Sequence, residues 1–326
     1  MKVFVTRKIP EQGLEILKKS CTIEMNPYDR VLSKQEIIQG LKGNDGLLCL
    51  LTDPIDKDVI FSEPKLKMIA NYAVGYNNID VSAATQRGIP VSNTPDVLTD
   101  ATAEMAWALL FSVTRRIPEG DRFTRAGKFK GWAPQLMLGQ DVTGKTLGIV
   151  GAGRIGTAVA LKSKGFQMNI LYVDEHQNKI LEQTLGAKKV KLEELLKSSD
   201  FVSLHVSLSN DTHHMISEKE LHLMKKTAIL INTSRGPVLD EQALAKALQE
   251  QRIFGAGLDV YEHEPHINKD LLTLENVVLQ PHSASATFNA RTKMAIMAAE
   301  NMVIGLQGKQ PPNCVNPEVF QKKKTT

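Results

Sequence analysis

The sequence predicts an α/β protein made of two doubly wound parallel sheets, and three observations lead there. Short apolar runs alternate with helical patterns through the first hundred residues and again through the second half. Leu147-Gly148-Ile149-Val150-Gly151-Ala152-Gly153-Arg154-Ile155-Gly156 reads as a strand, a glycine loop and the start of a helix. A further apolar run, Asn169 to Val173, ends in an acid, Asp174.

Taken in order, Val3 to Val5 reads as a strand and Glu11 to Lys19 as a helix. Ser33 with Glu36 forms a capping box for a helix ending near Gly43. Leu47 to Leu51 and Leu66 to Ala70 are the next strands, and the alternation implies βαβ units. Ala73-Val74-Gly75-Tyr76-Asn77-Asn78 follows one of them; glycine there lets backbone N–H groups face an anion, or simply serves a strand-to-helix turn. Asp100 to Arg115 reads as one helix, apolar nearly all round and so buried on most sides. It is expected to cross between two domains and to pack against a second subunit. Gly127 to Gly139, with Trp132 and Pro134, is a long irregular excursion of the kind that makes contacts.

Beyond Asp174, helices are expected near Lys179 to Leu185 and Leu192 to Lys197, then a strand at Phe201 to Leu204. A helix near Glu218 to Met224 and a strand at Ala228 to Asn232 follow, then a helix from Glu241 to Gln249 capped by Asp240. Two last strands end at Asp259 and His282. A helix from Asn289 to Leu306, stopped by Gly308, is long enough to carry the chain back over the first domain. The expected layout is therefore a nucleotide-binding (Rossmann) domain, residues 99–287, inserted in a smaller flavodoxin-like substrate domain formed by 1–98 and 288–326.

The glycine loop supplies the first chemistry. Gly151, Gly153 and Gly156 have the spacing in which one glycine allows a tight turn, one admits a pyrophosphate, and one brings helix and strand together. Phosphates would sit on the N–H groups of the helix opening at Arg154. Asp174, 18 residues after Gly156, stands where a carboxylate accepts the ribose hydroxyls of a dinucleotide.

Composition narrows the rest. A charge of only +4 and the lack of a dense basic stripe argue against nucleic acid, and Lys322-Lys323-Lys324 reads as a solvated tail. Cys21, Cys49 and Cys314 form neither a disulfide framework nor a metal knuckle, which suits a reducing cytoplasm. Met1 leads straight into a strand, so no signal peptide is expected, and no apolar run is long enough to span a bilayer.

Ligands of open α/β sheets lie beyond the carboxyl ends of the strands, and three polar groups fall there. Arg235 follows Ile231-Asn232-Thr233-Ser234, Asp259 closes one strand with Glu264 five residues on, and His282 closes another. A guanidinium matches a carboxylate bidentately, an imidazole exchanges protons near neutrality, and a carboxylate beside it favours the charged ring. These are the parts needed to reduce a 2-oxo acid: a hydride from nicotinamide, a proton from His282, and Arg235 on the carboxylate. No zinc-type ligand spacing is present.

Here the chain resembles a known family, the D-isomer-specific 2-hydroxyacid dehydrogenases. The resemblance rests on Val150 to Gly156, Asn232-Thr233-Ser234-Arg235-Gly236, Gly257-Leu258-Asp259-Val260-Tyr261 through Glu264-Pro265, and Pro281-His282. Asn71 to Asp80, Leu98 to Glu104, and Leu138-Gly139 before Val142-Thr143-Gly144-Lys145 are similar to the glyoxylate/hydroxypyruvate reductase branch. The resemblance implies Arg235 as substrate anchor, Glu264 as orienting acid, His282 as acid/base, and Val74 and Gly75 as N–H donors to the substrate carboxylate. It implies cofactor contacts at Thr102, Gly151, Ala152, Gly153, Arg154, Ile155, Gly156, Asp174, Thr233, Asp259, His282 and Ala284, with Asp259 on the nicotinamide carboxamide. It also implies a homodimer formed through the nucleotide domain. Two departures stand out: Ser283-Ala284 follows His282, where the family often has a small apolar residue and glycine, and Asp174-Glu175-His176 replaces the Ser/Thr-Arg of NADPH-preferring members. Two acids repel a 2′-phosphate, so NADH is expected. Phosphoglycerate or D-lactate dehydrogenation, and a non-catalytic NAD-sensing corepressor on the same fold, remain as alternatives; glutamine where Glu264 stands would have pointed to formate.

Overall fold

The computed structural model describes residues 1–321; the tail lysines Lys322-Lys323-Lys324 lie outside the described residues. The chain divides into two compact units, one formed by Met1–Leu98 with the segment from Ala286 onward, the other by Thr99–Ser285. The second crossing thus falls at Ala286, two residues before the boundary read from the sequence.

The first unit opens with β1 (Lys2–Val5), α1 (Glu11–Ser20), β2 (Thr22–Met25), α2 (Lys34–Leu41) and β3 (Gly46–Cys49). It continues with α3 (Lys57–Ser62), β4 (Met68–Asn71), α4 (Val81–Gln86) and β5 (Val91–Ser92). Its sheet is wholly parallel, in the order β2-β1-β3-β4-β5. β3 and β4 are buried at every residue, the mark of a parallel strand covered on both faces. The edge strand β2, Thr-Ile-Glu-Met, is mostly exposed, which is why no strand signal is legible in its residues. The capping box of α2 forms as expected between Ser33 and Glu36.

The second unit starts with α5 (Thr99–Thr114), α6 (Ile117–Arg125), β6 (Thr146–Val150), α7 (Arg154–Lys162), β7 (Asn169–Val173) and α8 (Lys179–Leu185). Then come β8 (Lys188–Lys189), α9 (Leu192–Ser198), β9 (Phe201–Leu204), α10 (Glu218–Leu223), β10 (Ile229–Asn232), α11 (Glu241–Gln249), β11 (Gly255–Leu258) and β12 (Val277–Leu279). The seven strands are parallel in the order β12-β11-β10-β9-β6-β7-β8. Strand order reverses between β6 and β9, and that switch point is where ligands of such sheets bind.

The apolar helix α5 is not the crossing that its sequence suggested; it lies wholly in the second unit. It packs on α7 and on β10, β11 and β12. Its Trp107 indole donates to the Val159 carbonyl at 3.0 Å, and Gly257 faces Leu109 so closely that a Cβ there would come within 2.9 Å. The helix α6 was not foreseen: it follows Arg116, whose left-handed backbone (φ 53°) breaks the pattern, and none of its residues is buried. The chain ends with α12 (Phe288–Leu306) and α13 (Glu318–Gln321), both in the first unit. There α12 crosses α1, where a Cβ on Gly13 would meet the Ala295 carbonyl oxygen at 2.6 Å. Met302 is fully buried, a burial that contributes about 1.5–3 kcal/mol. Among the described residues no helix is long and apolar enough to cross a membrane.

Candidate active site

β6 delivers the chain into the glycine loop. Gly151 has φ 93°, and a Cβ there would lie 2.7 Å from the Val206 nitrogen. Gly156 sits under the Gly151 carbonyl, 2.0 Å from where its own Cβ would be. Both glycines are therefore fixed by packing. Gly153 differs: no atom lies within 4 Å of a Cβ built on it, and it caps α7 with no side chain on the helix N–H groups. Asp174, past the end of β7, accepts the Ala152 N–H at 2.8 Å and the His176 N–H at 3.0 Å, so its carboxylate is fixed against the loop. Asn178 Nδ2 holds the Ala152 carbonyl at 2.8 Å. Arg154 and Ile155 open α7, and the side chain of Ile155 packs on the core beneath. Thr102 is buried in the first turn of α5.

Two buried polar atoms beside this loop have no hydrogen-bond partner, Thr233 Oγ1 and His205 Nδ1. Asn232 and Leu204 pair across β10 and β9, so the two residues leave adjacent strands side by side. An open helix N-terminus, an anchored acid and two unpaired polar atoms at the switch point fit a dinucleotide. His205 was not singled out from the sequence; its only signal was its place after β9. Lys189 was also missed: its ammonium group donates to the Glu175 carbonyl at 2.8 Å.

The acid–base groups stand on the other half of the same sheet. Arg235 lies three residues beyond β10, on a turn in which Asn232 accepts the Ser234 N–H at 3.0 Å and donates to the Arg235 carbonyl at 3.0 Å. Its guanidinium donates to the Ser234 carbonyl at 2.7 Å. Burial lowers its pKa, and the nearby Glu264 charge works against that shift. Gly236 next to it has no room for a side chain: a Cβ would stand 1.8 Å from the Tyr261 carbonyl carbon. That contact seats the Arg235 turn on the backbone leading to Glu264.

His282 does not close its strand, as the sequence suggested. β12 ends at Leu279, and His282 follows in left-handed backbone (φ 52°). Its Nδ1 lies 2.8 Å from Glu264 Oε2, and Glu264 Oε1 accepts the Tyr261 N–H at 3.1 Å. Burial would raise the Glu264 carboxyl, but the His282 bond and charge, the Tyr261 N–H and Arg235 outweigh it, and the carboxyl is lowered. Asp259, fully buried at the end of β11, accepts the N–H groups of Ser283 at 2.7 Å and Ala284 at 2.8 Å. It thereby pins the two peptides that follow His282. Burial raises its carboxyl, against the pull of those two N–H groups and of His282.

Val74 and Gly75 belong to the first unit. Their carbonyls are held by Asn93 Nδ2 at 2.8 Å and Asn71 Nδ2 at 2.9 Å, which fixes the orientation of both peptides. Among the described residues no group of three or more His, Cys, Asp or Glu is placed to hold a metal ion.

Known proteins resemble the chain over nearly its whole length. Residues 107–284 match the family model of the D-isomer specific 2-hydroxyacid dehydrogenase, NAD binding domain. A glyoxylate reductase of Korarchaeum cryptofilum is 55% identical over 98% of this chain and 97% of its own. Among solved structures, the TT0316 protein of Thermus thermophilus is 42% identical, with a TM-score of 0.90 over 97% of this chain and 100% of that one. An NADPH-dependent glyoxylate/hydroxypyruvate reductase of Sinorhizobium meliloti, solved with NADP and malonate, is 30% identical. Its TM-score is 0.87 over 96% of each chain. By its sequence, its two parallel sheets and these matches, the chain belongs to the D-isomer specific 2-hydroxyacid dehydrogenases.

Proposed function

We propose that the protein reduces glyoxylate, and by extension hydroxypyruvate, to the 2-hydroxy acid with NADH. The observation that carries this reading is the Glu264–His282 pair beside the half-buried Arg235, three groups suited to a 2-oxo acid. Relatives named glyoxylate reductase at about half identity over the full chain support the choice of substrate.

When bound, the nicotinamide cofactor supplies the hydride. The chain's own residues do the rest. A carboxylate only accepts, so Glu264 fixes the His282 proton on Nδ1 and leaves Nε2 to give a proton to the carbonyl oxygen. Arg235 holds the substrate carboxylate through its planar fork. Gly151 to Gly156 with Arg154 and Ile155 would take the phosphates, Asp174 the ribose and Asp259 the nicotinamide carboxamide, with Thr102, Thr233 and Ala284 as further cofactor contacts. Asp174 and Glu175 disfavour a 2′-phosphate, which supports NADH over NADPH.

A homodimer is part of the proposal. Ile117, Phe129, Trp132, Leu136 and Leu138 are all exposed on one segment of the second unit, a run of apolar surface suited to a second copy. Light scattering tests it. A cytoplasmic site of action is supported by three cysteines, all free. Loss of NADH absorbance across a panel of 2-oxo acids, repeated with NADPH, tests the activity. No turnover with any of them would favour the sensing role instead.

A further inference from the structure

Glu241 is a buried carboxylate that the proposed reaction does not use. It is the first residue of α11, after the cap Asp240, and only 5% exposed. A glutamate placed there merely to favour the helix dipole would point into solvent. This one gives both oxygens to another segment: one accepts the Glu262 N–H, the other the Asn268 N–H at 3.3 Å. In return its own N–H donates to Glu262 Oε1 at 3.4 Å. His214 Nε2 bonds to that same Glu262 oxygen, and the His214 N–H donates to the Pro237 carbonyl at 2.8 Å.

Residues 262 and 268 bracket the segment that carries Glu264, and Pro237 lies two residues after Arg235. One carboxylate network therefore ties together the two loops that bear these groups. Gly236, closed against the Tyr261 carbonyl, seals the same junction. Burial raises the Glu241 carboxyl, opposed by the two N–H bonds, so a charged form here costs free energy unless those bonds are made.

We propose that Glu241 is a positioning residue: by clamping both ends of the 262–268 segment, it sets Glu264 against His282 and fixes the Arg235 turn beside them. The proposal rests on the reading that Glu264 and His282 carry the proton transfer. Glu241→Ala, Glu241→Gln, Glu264→Gln, His282→Ala and the double variant Glu241→Ala/Glu264→Gln test it. NADH binding, read from tryptophan quenching, checks the fold; if Glu241→Ala does not bind NADH, Glu241→Gln is judged by the same criteria.

Glu241→Ala is expected to lower kcat with glyoxylate about tenfold, the effect of losing a charged hydrogen bond. The high-pH limb of reduction should move to lower pH, and Glu241→Gln, which keeps one acceptor, should recover part of both. The double variant should be little worse than Glu264→Gln, because both changes act through one group. An unchanged pH profile in the Glu241 variants, or a double variant whose loss is the product of the single losses, overturns the proposal. Full turnover in Glu264→Gln and His282→Ala overturns the reading beneath it as well.

Discussion

Oε2 of Glu264 lies 2.8 Å from Nδ1 of His282, while the Tyr261 N–H holds the other carboxylate oxygen at 3.1 Å. The acid is thus anchored at one end and free to orient the ring at the other. Its carboxyl is lowered, so it remains an anion throughout the neutral range. Reduction needs the ring beside that anion protonated, and oxidation needs it neutral.

Glu264→Gln removes the charge but keeps an acceptor. Protonating His282 becomes harder, so reduction should fail at lower pH than in the wild type, and oxidation should rise at lower pH. His282→Ala should cost at least about a hundredfold in kcat, in line with a lost general acid, while NADH still binds. Steady-state pH profiles in both directions check the pair; coincident profiles for wild type and Glu264→Gln would remove Glu264 from it.

Arg235→Lys keeps the charge and loses the fork. With a charged hydrogen bond contributing roughly 1.5–3 kcal/mol, kcat/KM for glyoxylate should fall by at least about tenfold. NADH affinity should hardly change. An unaltered kcat/KM would take Arg235 out of the site.

Cofactor choice turns on the end of β7. Wild type should use NADH better than NADPH, and Asp174→Ser with Glu175→Arg should narrow or reverse the preference. Lys189, already bonded to the Glu175 carbonyl, supplies a second cation for the 2′-phosphate once the acids are gone. Kinetics with both cofactors decide it, and a wild type that prefers NADPH would refute the reading of Asp174.

His205 should make stability fall in mild acid. Burial lowers its pKa to about 3, against about 6.5 in an unfolded chain. The unfolded chain takes the proton first, so this histidine's contribution is complete above about pH 6.5 and is lost as pH falls towards 3. Between pH 6.5 and 5 the loss is about 2 kcal/mol. Urea unfolding at both pH values should show a drop smaller by that amount in His205→Gln, which can still reach Ser203. Equal drops would mean the ring is already protonated when folded.

The sequence by itself determined the local structure and the kinds of chemistry present. Apolar runs marked the inner strands because a parallel strand is buried on both faces; the polar edge β2 left no such mark. The glycine spacing specified a loop whose three members turn out to have different reasons, Gly151 and Gly156 packed against backbone and Gly153 facing open space. Arg235, Glu264 and His282 were legible as residue types after strands. Only tertiary structure decided how they relate. Parallel pairing of β10, β11 and β12 aligns three strand ends, and the seat of Gly236 under Tyr261 then brings the Arg235 turn to Glu264. Glu241 looked like any helix-opening acid, and Lys189 like any surface lysine. Their roles depend on segments 21 and 14 residues away. No local pattern encodes such distances; strand register and close packing do.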